Sequence, residues 1–145
     1  DLDYILECVR LAPSAVNKQP WKWLIVRSDE AKQKLQQCYD REWFRSASMY
    51  IVGMRNVEEN WVRRYDGKAH GDIDVAIATE HLCLAATERG LGTCWVCNYN
   101  TDKMKQLFSR PGFEVVVIIP IGHIAEDCPY AAKKRKDMSE IVEEI

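Results

Sequence analysis

Ala12-Pro13-Ser14-Ala15-Val16-Asn17-Lys18-Gln19-Pro20-Trp21 divides a segment of helical apolar period from one rich in aromatic and β-branched residues. Proline stiffens the stretch at both ends, fixing φ near −65° and removing a backbone donor each time. Between the prolines, Ser14, Asn17 and Gln19 carry side chains that both donate and accept hydrogen bonds. A loop this restrained and this polar suits a planar polar ligand. The same residues also suit an ordinary helix-to-strand connection, in which they cap and turn the chain.

On the N-terminal side, Leu2, Ile5, Leu6, Val9 and Ala12 recur at helical spacing, so residues 2–12 read as an amphipathic helix that Pro13 ends. The chain opens on Asp1, almost inside that helix, which predicts upstream residues in the full-length protein. On the C-terminal side, Trp21 to Val26 reads as a strand. Ser28 is a candidate N-cap, with Asp29 and Glu30 at the positive end of a helix predicted to run to about Cys38. Ser48 to Met54 reads as a second, buried strand. Residues 55–71 are polar, with a turn signal at Asp66-Gly67. They form either a solvated connection or a lid beside a ligand.

Ile73 to Arg89 is the longest helical segment, closed by Gly90. Its middle has almost no polar face, and a helix apolar nearly all round is buried nearly all round. In 145 residues that predicts a central helix packed against a second subunit as well. His81 within it reads as a hydrogen-bonded core residue. Thr93 to Tyr99 is predicted as a short strand, Thr101 to Phe108 as a helix, and Glu114 to Ile121 as a buried strand closed by Gly122. Without repeats or a linker, residues 1–145 are expected to form one domain.

Apolar residues make up 47% of the chain, as in packed globular domains, and the net charge is −2. That charge gives no electrostatic case for nucleic acid or an anionic membrane as partner. No apolar run approaches the ~20 residues that cross a bilayer, and the start carries no signal-peptide pattern. Six scattered cysteines, mostly in apolar surroundings, favour reduced thiols and a cytoplasmic location.

Cys94-Trp95-Val96-Cys97 is a C-x-x-C, compatible on composition with a redox dithiol or half a zinc site. In a strand, however, residues three apart point to opposite faces, and no second pair at ligand spacing completes a metal site. Gly90-Leu91-Gly92-Thr93 lacks G-x-G-x-x-G, and the three histidines define no triad. Neither a catalytic side chain nor a metal ligand is therefore assigned. Lys133 and Arg135, in a basic tail, read either as a phosphate grip or as a solvated charge run.

Taken together, these pieces resemble the nitroreductase family. Ala12 to Trp21 is similar to its A-P-S-x-x-N-x-Q-P-W loop. Asp74 to Trp95 is similar to its central helix and following G-L-G-T-C-W strand, and Ile118 to Pro129 to its I-P-I/L-G-x-x-A-E-x-x-P segment. Lys133, Arg135 and Glu140-Ile141-Val142 are similar to its K-x-R…E-E-I-V tail. The family's usual arginine-rich element would lie upstream of Asp1. Tyr39 to Trp43 lacks an amide that many members carry nearby.

The resemblance implies an α+β fold with a central mixed, mostly antiparallel sheet flanked by helices, in an intertwined homodimer with FMN at the subunit interface. Pro13, Ser14, Ala15 and Asn17 would meet the flavin ring or ribityl chain, with Gln19 holding the loop. Gly92, Thr93 and Trp95 would lie beside the isoalloxazine, and Lys133 and Arg135 would hold the phosphate. The implied activity is ping-pong hydride transfer from NAD(P)H to a nitroaromatic, quinone or similar small-molecule acceptor. The alternatives are a family-like binding protein with weak or altered cofactor binding and, on the C-x-x-C, a thiol–disulfide protein.

Overall fold

The computed structural model describes residues 1–129 and 131–145. Helix α1 (Leu2–Arg10) is followed by a 3-10 turn at Ala15–Asn17 and strand β1 (Trp21–Val26). Next come α2 (Asp29–Gln36), α3 (Glu42–Arg45), β2 (Met49–Asn56) and α4 (Gly71–Glu88). The chain continues through β3 (Leu91–Thr93), α5 (Thr101–Phe108), β4 (Phe113–His123) and the short α6 (Met138–Ile141).

The strands form one sheet in the order β1-β2-β4-β3. All three pairings are antiparallel, so the mixed character expected above does not show among the described residues. Successive residues of the central strands point to opposite faces. Ile51, Val117, Ile119 and Ile121 face α1 and α4. Tyr50, Val52, Met54 and Ile118 face the layer that supplies Leu35, Phe44, Met104 and Phe108. The α+β architecture is thus a sheet with a helical layer on each side.

Local chemistry sets the element ends. The Ser28 hydroxyl accepts from the Ala31 N–H at 3.3 Å and caps α2, while the Asn100 side chain accepts from the Lys103 N–H at 2.9 Å and caps α5. Gly90 stops α4 at φ 71°, a backbone conformation that other residues rarely adopt. Strand β3 ends at Thr93, where the predicted strand Thr93–Tyr99 begins. Ile118 exchanges two backbone hydrogen bonds with Val96, both 3.0 Å. The next group facing that side of β4 belongs to Pro120, which has no N–H to offer Cys94 opposite it. The ladder therefore breaks at Cys94 and survives only as the Val96–Ile118 bridge.

Gly53 governs how closely α4 meets the sheet. A Cβ there would lie 2.7 Å from Trp23 Cζ3, 3.0 Å from Val117 Cγ1 and 3.1 Å from Val75 Cγ1. Gly53→Ala is expected to cost about 1–3 kcal/mol through overpacking. The check is a thermal melt; an unchanged midpoint would mean that the Trp23 ring can swing clear.

Candidate functional site

The loop from Pro13 to Gln19 is the most strained backbone among the described residues. Val16, Asn17 and Gln19 all have positive φ, at 46°, 57° and 50°. For a β-branched residue such as Val16 this is an outlier, and each such residue costs on the order of 1–3 kcal/mol. Asn17 N–H donates to Ser14 O at 3.0 Å and Lys18 N–H to Ala15 O at 3.1 Å. Gln19 N–H donates to the Ser14 hydroxyl at 2.8 Å, and Gln19 Nε2 donates to Asn17 O and Oδ1, each at 3.2 Å. Gln19 thus closes the loop on itself. Val16 and Asn17 stay exposed at its tip.

One tie crosses from the loop to the body of the fold, and it was not legible in the sequence. Ala15 N–H donates to Asp74 Oδ1 at 2.8 Å. Asp74 lies in the first turn of α4 and is 2% exposed. A carboxylate in that turn is favoured by the positive end of the helix dipole.

Residues 57–70 leave and return beside this loop. Asn56 N–H donates to Pro20 O at 2.7 Å, and Gly71 begins α4. The segment is folded rather than loose. Val62 pairs with Ala69, and Arg63 N–H donates to Lys68 O at 2.9 Å. Arg63 grips both oxygens of Asp66, and this hydrogen-bonded pairing pulls the Asp66 carboxyl down to about 2. The Trp61 and His70 rings meet edge to face at 4.8 Å across the base.

Gly92 and Thr93 lie at the other end of the sheet. They line a groove of about 440 Å³ together with Cys94, Gly122, His123, Cys128 and Trp43. A Cβ at Gly92 would lie 3.0 Å from Cγ1 of the exposed Ile124, which would have to shift by a few tenths of an ångström. Trp95 follows, 40% exposed. Lys133 is close enough to oppose, by its charge, the rise that burial imposes on the Cys94 thiol. Lys133 and Arg135 are exposed, on a stretch without regular structure, and neither has a carboxylate partner among the described residues.

Within one chain the sequence-derived site residues therefore form two groups. Trp21 at the loop exit shares a sheet row with Arg55 and Glu114, whereas Gly92 pairs with Gly122. From Glu114 to Gly122, β4 runs about 26 Å at the usual rise per residue. Pro13, Ser14, Ala15, Asn17 and Gln19 sit at one end of the sheet, and Gly92, Thr93, Trp95 and Lys133 at the other.

The C-x-x-C lies just past β3. Cys94 and Cys97 are free and exposed as residues, yet burial of their sulfurs pushes both thiols up. A nucleophilic dithiol needs the opposite shift. His81 Nδ1 lies 3.3 Å from Cys8 O, between α1 and α4, so the ring is hydrogen-bonded as expected, although it is half-buried rather than in the core. Among the described residues no helix is long and apolar enough to cross a membrane.

A sheet covered by helices on both faces, with a strained polar loop at one end and a glycine-lined groove at the other, defines an α+β architecture with two candidate ligand surfaces. The chain belongs to the nitroreductase family, whose family model matches residues 1–39 and 35–123. It is similar to a nitroreductase family protein of Clostridium difficile 630, at 32% identity and a TM-score of 0.90, covering 98% of this chain and 83% of the other. It also shares its fold with a protein of Exiguobacterium sibiricum 255-15 solved in complex with FMN. There the TM-score is 0.82 at 22% identity, over 99% and 85% of the two chains. Iodotyrosine deiodinase 1 of Mus musculus is 22% identical over 171 residues. That match spans 97% of this chain but only 60% of the deiodinase.

Proposed function

We propose that the protein is an FMN-dependent oxidoreductase that takes hydride from NAD(P)H and passes it to a nitroaromatic, quinone or related conjugated acceptor. The observation that carries this reading is the strained loop. Three left-handed non-glycine residues within four positions, Val16, Asn17 and Gln19, are the kind of strain that is retained where a fixed polar surface must meet a ligand.

The residues present fit the cofactor. Ser14 and Asn17 offer hydroxyl and amide groups to the polar edge of a flat ring. Gly92 to Trp95 offers backbone that a side chain at Gly92 would crowd, plus an aromatic face. Lys133 and Arg135 supply a point charge and a planar fork for a phosphate. Bound FMN supplies the redox chemistry, and the chain supplies position and electrostatics.

The separation of the two groups supports a homodimer, in which the loop of one copy meets the glycine turn and tail of the other. Helix α4 offers the seam, since Ile73, Ala76, Ile77 and Leu84 fall along its outward side. Ile73 is 40% exposed and Leu84 61%. Six free thiols support a reducing, cytoplasmic setting.

The test is the visible spectrum of the protein as isolated and after incubation with FMN. It is followed by anaerobic addition of NADH or NADPH and then of a nitroaromatic, a quinone or an aryl iodide. Flavin bands that bleach with one nucleotide and return with one acceptor class are expected. Protein that stays colourless with added FMN would overturn the reading in favour of a binding protein without this cofactor.

A further inference from the structure

We propose that Asp74 is the positioning residue of the Pro13–Gln19 loop: its buried carboxylate, bonded to Ala15 N–H, holds the loop in the strained shape that meets the ligand. The ligand half of this statement rests on the FMN reading above; the loop half does not.

Four observations carry it. Asp74 is 2% exposed, so its polar side chain has left water. Such burial is costly unless a partner repays it. The one hydrogen bond of its side chain among the described residues comes from Ala15 N–H at 2.8 Å, fifty-nine residues away in sequence, and its other oxygen has no partner among them. The loop's remaining hydrogen bonds, through Ser14, Asn17 and Gln19, close it on itself and would not stop it moving as a unit. Finally, strained residues persist only where their surroundings over-determine them, and Val16 and Asn17, directly after Ala15, are two of the three at positive φ. Asp74 also lies one helical turn beyond His70 at the start of α4. The loop is thereby registered to the helix along which the two copies are proposed to meet.

The test compares Asp74→Ala, Asp74→Asn and Thr79→Val in the FMN-loaded protein. Thr79 is a fully buried neighbour whose hydroxyl donates to Val75 O at 2.7 Å, so its loss loosens α4 without touching the loop. Asp74→Ala is expected to weaken FMN binding roughly 10- to 100-fold, the usual weight of a hydrogen bond to a charged group. Asp74→Asn, which keeps an oxygen for Ala15 N–H, should stay within about threefold of the parent. Thr79→Val should lower the melting temperature while FMN affinity holds.

Amide hydrogen exchange reads the loop without flavin. Residues 14–19 should exchange roughly tenfold faster in Asp74→Ala and close to the parent rate in Asp74→Asn. Equal FMN loss in Ala and Asn variants, equal loss in Thr79→Val, or unchanged exchange over 14–19 in Asp74→Ala would overturn the proposal. Should the parent protein bind no FMN, the ligand half falls with the FMN reading, and hydrogen exchange alone decides the loop half.

Discussion

Replacing Lys133 and Arg135 together with alanine is expected to weaken FMN binding by roughly a hundredfold or more, since each hydrogen bond to a charged group contributes about 1.5–3 kcal/mol. Both side chains are exposed and free of carboxylate partners among the described residues, so neither is committed to holding the fold. The melting temperature of the flavin-free protein should therefore hold while cofactor affinity falls. Lys134 and Lys136 carry the same charge and provide the control. If the tail acts only as a diffuse positive field, the Lys134→Ala/Lys136→Ala pair would lose as much affinity. If Lys133 and Arg135 grip a phosphate individually, the control pair should lose little. Quenching of flavin fluorescence on titration measures both. Unchanged affinity in the first pair would return the tail to a solvated charge run.

The second large effect is expected from Leu84→Arg. Leu84 is 61% exposed on the outward side of α4, so an arginine there does not disturb the chain's own core. In a two-fold seam the same residue enters twice. Each leucine forfeits about 1.5–3 kcal/mol of apolar burial, and two unpaired guanidinium groups meet a desolvation penalty on top. Light scattering on the eluting protein should report the mass of one chain, and FMN should leave with the partner. A dimer that survives with its flavin would place the seam on another face.

Much of the fold was legible because its signals are local. Trp21 to Val26 is bounded by Pro20 and Ser28 and forms the predicted strand residue for residue. The caps at Ser28 and Gly90 act as predicted. The errors arose where a partner distant in sequence decides. Thr93 to Tyr99 has strand composition, yet Pro120, twenty-six residues beyond Cys94, interrupts the ladder. The hairpin between Asn56 and Gly71, read as a polar connection, is a different case: its partners are near in sequence, Arg63 with Asp66 and Trp61 with His70. Composition does not reveal either.

The layout of the candidate site was only half legible. The loop, the glycine turn and the tail could each be named, but their distance apart could not. That distance follows from strand order and register. Asp74 escaped notice for a related reason. In sequence it is an acidic residue in a helix's first turn, and only the packed structure shows that it serves Ala15.

The two ends of this sheet have a thermodynamic consequence. If one copy contributes the loop and the other the groove and tail, neither chain alone owns a complete seat, and both seats of a pair come into being together. Cofactor binding and subunit association then draw on a common free energy, and each raises the other by mass action. Dilution would release flavin with no change in any residue that touches it, and excess flavin would hold together a pair that otherwise falls apart.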